Sequence, residues 1–423
     1  MKKLLIAVLC LMLTGCAAPA PSDGSGPDRS VSPDIPAPSP AASSAPNGES
    51  GPPQASPETD PETAENPSAS QEPSESSLGP QNQEQIIQEL LSAMTLEEKV
   101  GQMFFVRCPE TGGAELAAQY KVGGYLLFGR DFKDKTAQQV RDDIQSYQDA
   151  SGIPLLIGTD EEGGTVVRAS SNPDLFPQRE PAPQTLFAQG GMDLILQDAR
   201  QKSMTLLDLG VNVNFAPVAD VSTDPADFIY AVSLGARSFG QDAQATANYV
   251  AQVVGVMGEE QIGSVLKHFP GYGNNVDTHT GIALDQRPYE TFQTSDFLPF
   301  QAGIQAGADA VLVSHNIAAS MDESLPASLS PTVHKILREE LGFDGVVLTD
   351  DLAMDAVMEY AQNGSAAVLA IQAGNDMVVT TDFQTQIPQV IHAVQSGVIA
   401  ESQIDQAVTR VLNWKYELGL LGN

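Results

Sequence analysis

Eight short apolar runs rich in β-branched and aromatic residues recur between residues 103 and 379 and limit how the chain can fold. They are Met103–Val106, Val122–Phe128, Ile153–Gly158, Val211–Phe215, Ile262–Leu266, Ala310–Val313, Gly345–Leu348 and Asp376–Val379. Each has the length and composition of a strand buried on both faces. Most are separated by stretches with helical periodicity, among them Thr136–Ala150, Leu194–Leu209, Ala243–Glu260, Pro299–Ala306 and Thr332–Leu341. Eight strands alternating with helices predict an α/β chain closed into a (β/α)8 barrel, with a doubly wound open sheet as the second architecture. Glu84–Met94 has helical periodicity, and Thr95 followed by Glu97 and Glu98 reads as a helix start. At the other end Ile404–Leu420 is amphipathic and carries the only tryptophan, Trp414, as expected of a helix that closes the barrel.

Polar residues fall at the carboxyl ends of these runs. Asp160 follows the third, Asp220 the fourth, Lys267 and His268 the fifth, Ser314, His315 and Asn316 the sixth, Asp350 and Asp351 the seventh. Barrel active sites occupy that face, so the positions argue for the fold and for a site together. The fifth run is the most concentrated. Lys267 and His268 end it, Phe269-Pro270-Gly271 is suited to turn the chain, and the loop that follows returns Asp277 and His279. Any one of these groups alone is an ordinary core histidine or loop cap. Two histidines in so short a span, in a chain with 5, point to chemistry.

The amino terminus has a different character. Met1-Lys2-Lys3 is basic, Leu4–Leu13 is apolar but too short to span a bilayer, and Leu13-Thr14-Gly15 precedes Cys16. This resembles a bacterial lipoprotein signal over residues 1–15, which implies cleavage before Cys16, a lipid on its thiol, and an extracytoplasmic protein anchored to the cell membrane. Cys10 leaves with the signal, so Cys108 alone remains and no intramolecular disulfide is available. From Ala17 to Pro80 proline, serine, alanine and glutamate dominate and no aromatic residue occurs. Such a stretch cannot bury a core, so residues 16–83 are read as a lipidated, disordered linker and 84–423 as the folded domain. The linker would reach about 45 Å as a coil and up to ~200 Å as polyproline.

Charge excludes some partners. The formal net charge is −33; the linker's 10 acids and 1 arginine contribute −9 and Lys2 and Lys3 +2, leaving −26 on the rest. A domain that acidic is a poor binder of nucleic acid or of an anionic membrane surface. Solubility alone accounts for the charge.

Gly342–Met354, GFDGVVLTDDLAM, delivers paired carboxylates at a strand end, where one can serve as nucleophile and the other cap the next helix. Together with KHFPGYG, DTH, TDEEGGTVVR and GARSFG, it closely resembles glycoside hydrolase family 3, specifically the single-domain bacterial β-N-acetylglucosaminidases, from Met94 to Leu421. The resemblance implies that Asp350 is the nucleophile, His279 the general acid/base and Asp277 its orienting partner. It implies that Asp160, Arg168, Arg237, Lys267 and His268 hold the sugar. The chemistry agrees, because a retaining glycosidase needs one carboxylate to form a glycosyl-enzyme and one proton donor for the leaving oxygen, and histidine titrates near working pH. The implied enzyme removes terminal β-linked N-acetylglucosamine from cell-wall or related glycans, as a monomer with no cofactor and no metal. Two departures from the family pattern stand out: Gly271-Tyr272-Gly273 replaces GHG, and the stretch before Asp277 is one residue shorter. Many relatives also take their acid from a second domain, so here it is expected from the barrel's own loops.

Other readings compete. A β-glucosidase or phosphorolytic relative is the nearest, since neutral imidazole, unlike a carboxylate, does not repel inorganic phosphate; hydrolysis is expected to dominate, with phosphorolysis as a side capacity. A metal-dependent hydrolase would use His268, His279, His315 and Asp350 as ligands, but would normally want a histidine pair at the first strand, where Phe104-Phe105-Val106-Arg107 offers none. A solute-binding lipoprotein shares the signal and linker but has no use for a strand-end carboxylate paired with an Asp-x-His loop.

Overall fold

The computed structural model describes residues 80–224, 227, 229–230, 237–275, 283–354, 357, 360 and 365–422. The signal, Cys16, nearly all of the linker, Asp277 and His279 lie outside these residues. The eight expected runs form eight parallel strands: β1 (Phe104–Arg107), β2 (Gly124–Leu127), β3 (Leu156–Thr159), β4 (Val213–Asn214), β5 (Gly263–Phe269), β6 (Ala310–Val313), β7 (Val346–Thr349) and β8 (Val378–Thr380). They pair in chain order from β1 to β7, and β8 returns to β1 through Phe104↔Val378 to Val106↔Thr380. β7 and β8 meet through a single bridge, Leu348↔Met377, with the Val379 N–H donating to Thr349 Oγ1 at 3.0 Å and the Leu352 N–H to Val379 O at 2.9 Å. The result is a (β/α)8 barrel.

Inside the barrel the strand period of two decides which residues meet. Phe105, Leu126, Leu156, Val213, Val265, Ala310, Leu312, Val346, Leu348 and Val379 form one buried cluster. Phe105 and Phe215 pack edge to face across it, centroids 5.2 Å apart. A larger apolar cluster lies between the strands and the surrounding helices.

The carboxy-terminal helix Glu401–Glu417 puts Val411 and Trp414 into the interior cluster. A Cβ on Gly263, the first residue of β5, would lie 3.0 Å from the Trp414 indole, so a glycine there admits the ring. Trp414 therefore plugs the barrel at the strands' amino ends and leaves the carboxyl ends as the open mouth. Beside it Lys415 is fully buried, its Nζ 2.6 Å from Gln102 Oε1. Burial pushes its ammonium down to about 7.

Two strands differ from expectation. β4 is a two-residue strand rather than Val211–Phe215, although the Asn212 and Phe215 N–H groups still donate to β3 at 3.0 and 2.9 Å. β5 runs on through Lys267 and His268 to Phe269 instead of ending at Leu266, with a register shift between Leu266 and Phe269. The helix expected from Leu194 starts at Pro183 and breaks at Gly191, where φ is 66°. A short parallel pair on the rim, Leu284–Asp285 with Ile317–Ala318, was not foreseen.

Candidate active site

The side-chain alternation that fills the barrel with apolar groups carries on to its mouth. Two residues past Phe105 is Arg107; past Leu126 is Phe128; past Val265 is Lys267; past Leu312 is Ser314; past Leu348 is Asp350. Asp160 follows Leu156 and Gly158 in the same series on β3. One inward-facing layer at the carboxyl ends thus changes from hydrocarbon to charge, as expected of a barrel enzyme.

The charges in this layer are organised by buried carboxylates. Lys267 Nζ lies 2.8 Å from Asp160 Oδ1 and 2.6 Å from Glu162 Oε1, and Arg168 Nη2 lies 3.3 Å from Asp160 Oδ2. Glu162 also takes Arg237 in a two-pronged pair, Nε to Oε2 at 2.9 Å and Nη2 to Oε1 at 2.8 Å. Burial drives the Glu162 carboxyl up, but the Arg237 and Lys267 charges outweigh it and hold it well below the usual carboxylate range. Asp160 is likewise held down by Lys267 and Arg168 against its burial.

Arg237 continues to His268, its Nη2 3.1 Å from Nε2, and His268 Nδ1 lies 2.7 Å from Asp220 Oδ2. A guanidinium can only donate, so Nε2 accepts and Nδ1 carries the proton given to Asp220. Asp220 is fixed in turn by the backbone N–H groups of His268 at 3.2 Å and Tyr272 at 2.8 Å. All five expected sugar-holding residues, Asp160, Arg168, Arg237, Lys267 and His268, therefore stand in one continuous network at the mouth.

Two acids in that region were not singled out from sequence. Glu162 is the hub just described. Glu161, fully buried, accepts the backbone N–H groups of Arg168 at 2.9 Å and Ala169 at 2.7 Å, with the Ser170 hydroxyl on its other oxygen. It orders the segment that presents Arg168. The run Asp160-Glu161-Glu162 thus gives three acids three tasks.

On the opposite side of the mouth the Asp350 N–H donates to Val313 O at 3.0 Å, which extends the β6–β7 ladder to the carboxylate itself. Asp351 turns away: its Oδ1 accepts the Ala353 N–H at 2.9 Å, starting the next turn, while its own N–H donates to Asp350 Oδ1 at 2.9 Å. Burial and the adjacent Asp350 charge push the Asp351 carboxyl up. His315 is fixed between Ser328 Oγ at 2.7 Å and the Asp351 carbonyl at 3.0 Å. Both ring nitrogens of His268 and of His315 are thus occupied, so neither could ligate a metal without giving up a bond.

The loop leading to Asp277 and His279 is pinned where it is described. Asn274 Oδ1 accepts the Ser222 hydroxyl and the Thr223 N–H, each at 3.0 Å. Tyr272, buried, packs edge to face on His268 with centroids 5.0 Å apart. Its flanking glycines follow from the space: a Cβ on Gly271, at φ 117°, would lie 2.5 Å from Asp296 Oδ1, and one on Gly273, at φ 55°, would run into the Arg287 guanidinium. Arg287 binds Asp285 and Asp296 and covers the Phe292 ring at 4.4 Å. Burial pushes Asp296 up to about 7 despite that arginine.

Residues 95–414 match the Glycosyl hydrolase family 3 N terminal domain. A protein named Beta-hexosaminidase from Stenotrophomonas maltophilia is 35% identical over 323 residues, spanning 73% of this chain and 89% of its own. A glycoside hydrolase family 3 beta-N-acetylglucosaminidase from a Paenibacillus strain superposes with a TM-score of 0.70 at 30% identity, covering 78% of this chain and 64% of the Paenibacillus chain. Beta-N-acetylhexosaminidase from Beutenbergia cavernae superposes at 0.66, also with 30% identity, covering 75% of this chain and 98% of its own. With the barrel and the charged mouth already described, these matches establish that the chain belongs to glycosyl hydrolase family 3.

Proposed function

We propose that the protein is a retaining β-N-acetylhexosaminidase that removes terminal β-linked N-acetylglucosamine through a glycosyl-Asp350 intermediate. The observation that carries this reading is Asp350 at the end of β7, in the inward-facing layer that also holds Asp160 and Lys267. The similar proteins named above are a beta-hexosaminidase, a beta-N-acetylglucosaminidase and a beta-N-acetylhexosaminidase, which favours an N-acetylhexosamine over glucose.

In this reading Asp160 accepts hydrogen bonds from sugar hydroxyls, while Lys267, Arg168 and Arg237 donate to them. These donors are held by Asp160 and Glu162 before substrate arrives, so little reorganisation accompanies binding. Asp350 attacks the anomeric carbon as His279, oriented by Asp277, protonates the leaving oxygen. Neutral His279 then takes a proton from water, which displaces Asp350 and releases the sugar with its configuration retained. Cleavage before Cys16 would leave the barrel on a lipid-anchored linker at the outer face of the cell membrane, within reach of cell-wall fragments.

Turnover of chromogenic N-acetyl-β-glucosaminide against the matching β-glucoside tests the reading. The N-acetyl substrate should be cleaved with much the higher kcat/KM, and equal or reversed preference would refute the assignment.

A further inference from the structure

Arg107 stands in the inward-facing layer of the mouth with no role in the network above. It ends β1, two residues past Phe105, and its guanidinium lies 4.3 Å from the centroid of the Phe128 ring. Arg168 lies 5.2 Å from the same centroid. Two guanidinium groups therefore converge on one aromatic ring. Stacking occupies the face of a guanidinium and leaves its five N–H groups pointing outward in the plane.

Few of those donors meet an acceptor among the described residues. Among the described residues the Arg107 guanidinium makes no hydrogen bond and has no carboxylate within ion-pair distance. Its Nε is buried without an acceptor, as is Nε of Arg168, whose one ion pair is the 3.3 Å contact to Asp160. A buried charged donor without a partner is costly, and two cations at one ring repel. The Arg107 charge acts on the Asp351 carboxylate electrostatically, but without an ion-pair contact. An acceptor supplied from outside would satisfy the Arg107 donors and the Arg168 Nε.

We infer that Arg107 and Arg168 form a subsite for an oxyanion, a carboxylate or a phosphate, at the barrel mouth. Arginine suits this task because its rigid fork matches both groups with two parallel hydrogen bonds. The inference rests on the mouth being the sugar site, and it adds to that reading a charge preference with named residues. The oxyanion would be carried by the leaving group, carried by the sugar, or free in solution.

Three arms distinguish these sources, each run on the full chain with wild type, Arg107→Gln and Arg107→Lys. The first compares kcat/KM for a neutral aryl N-acetyl-β-glucosaminide and the same glycoside with a carboxylate on the aryl group. The second compares the neutral substrate with one oxidised to a carboxylate at C6. The third measures binding of inorganic phosphate by calorimetry and needs no turnover. In at least one arm wild type should favour the anion and Arg107→Gln should lose about tenfold of that preference. Arg107→Lys should fall between, because it keeps charge without the fork. The arm that responds names the source. If no arm distinguishes wild type from Arg107→Gln, the subsite does not exist. If every glycoside is inert while phosphate binding still depends on Arg107, the hexosaminidase reading fails and the oxyanion site stands.

Discussion

Glu162, itself buried, grips the partly exposed Arg237 through both carboxylate oxygens, at 2.8 and 2.9 Å. The same carboxylate holds Lys267 at 2.6 Å, so one acid sets two of the cations assigned to the sugar. Glu162→Gln should therefore leave two cations short of a counter-charge. The expected cost is roughly 3–5 kcal/mol of stability, with a fall in kcat/KM that substrate saturation does not restore. Because the folded carboxyl sits below its ordinary value of 4.5, its stabilisation is complete above that pH and fades only as the pH drops through the lower, folded value. Thermal unfolding should show a constant gap between wild type and Glu162→Gln near neutrality that narrows in acid. A gap unchanged down to acid unfolding would contradict the ion-pair account.

Lys415 supplies a pH dependence of the same sign in a more alkaline window. Its folded value of about 7 lies below the ordinary 10.5, so between those limits the unfolded chain binds a proton that the folded chain lacks. Stability contributed at this site therefore rises with pH across that window, and the cost is greatest at and below about 7. Lys415→Met should stabilise the protein by on the order of a few kcal/mol at neutral pH, less the loss of the Gln102 hydrogen bond. Unfolding midpoints from pH 7 to 9.5 should show the advantage of the variant shrinking steadily.

Gly273→Ala adds a Cβ where Arg287 already sits, at a φ of 55° that side chains disfavour. The expected cost is about 1–3 kcal/mol. Activity should fall further than stability alone explains, since Gly273 opens the loop that carries Asp277 and His279. Normal kcat in a folded Gly273→Ala protein would show that this end of the loop does not position the dyad.

His279→Ala should slow a disaccharide with a poor leaving group by roughly 10²–10⁴ and an activated aryl glycoside far less. Equal losses on both substrates would assign His279 a positional role instead of proton transfer.

How far the sequence could be read follows from these residues. The barrel was legible because its strands are buried on both faces and bounded by helical stretches. The site strands were legible because charged groups fall at their carboxyl ends. β5 was read short because Lys267 and His268 look like loop residues until Asp160, Glu162 and Asp220 are seen to neutralise or satisfy them in the interior. Glu162 was hidden as one of three successive acids, whose separate tasks depend on partners as distant in sequence as Arg237 and Lys267. Arg107 carries a signal in strand parity: it stands to Phe105 as Asp350 stands to Leu348. The rim pair Leu284–Asp285 and Ile317–Ala318 left no comparable trace, being two-residue strands joined over a long connection.

The central claim is that Asp350 forms a covalent bond to the sugar. A 2-deoxy-2-fluoro or 5-fluoro glycosyl donor that reacts and then hydrolyses slowly should add one sugar mass to the protein, and peptide mapping should locate it on Asp350. Asp350→Asn should take no label and retain little turnover. A label on Asp351 or on any other residue, or rapid turnover with no covalent species at all, would contradict the account.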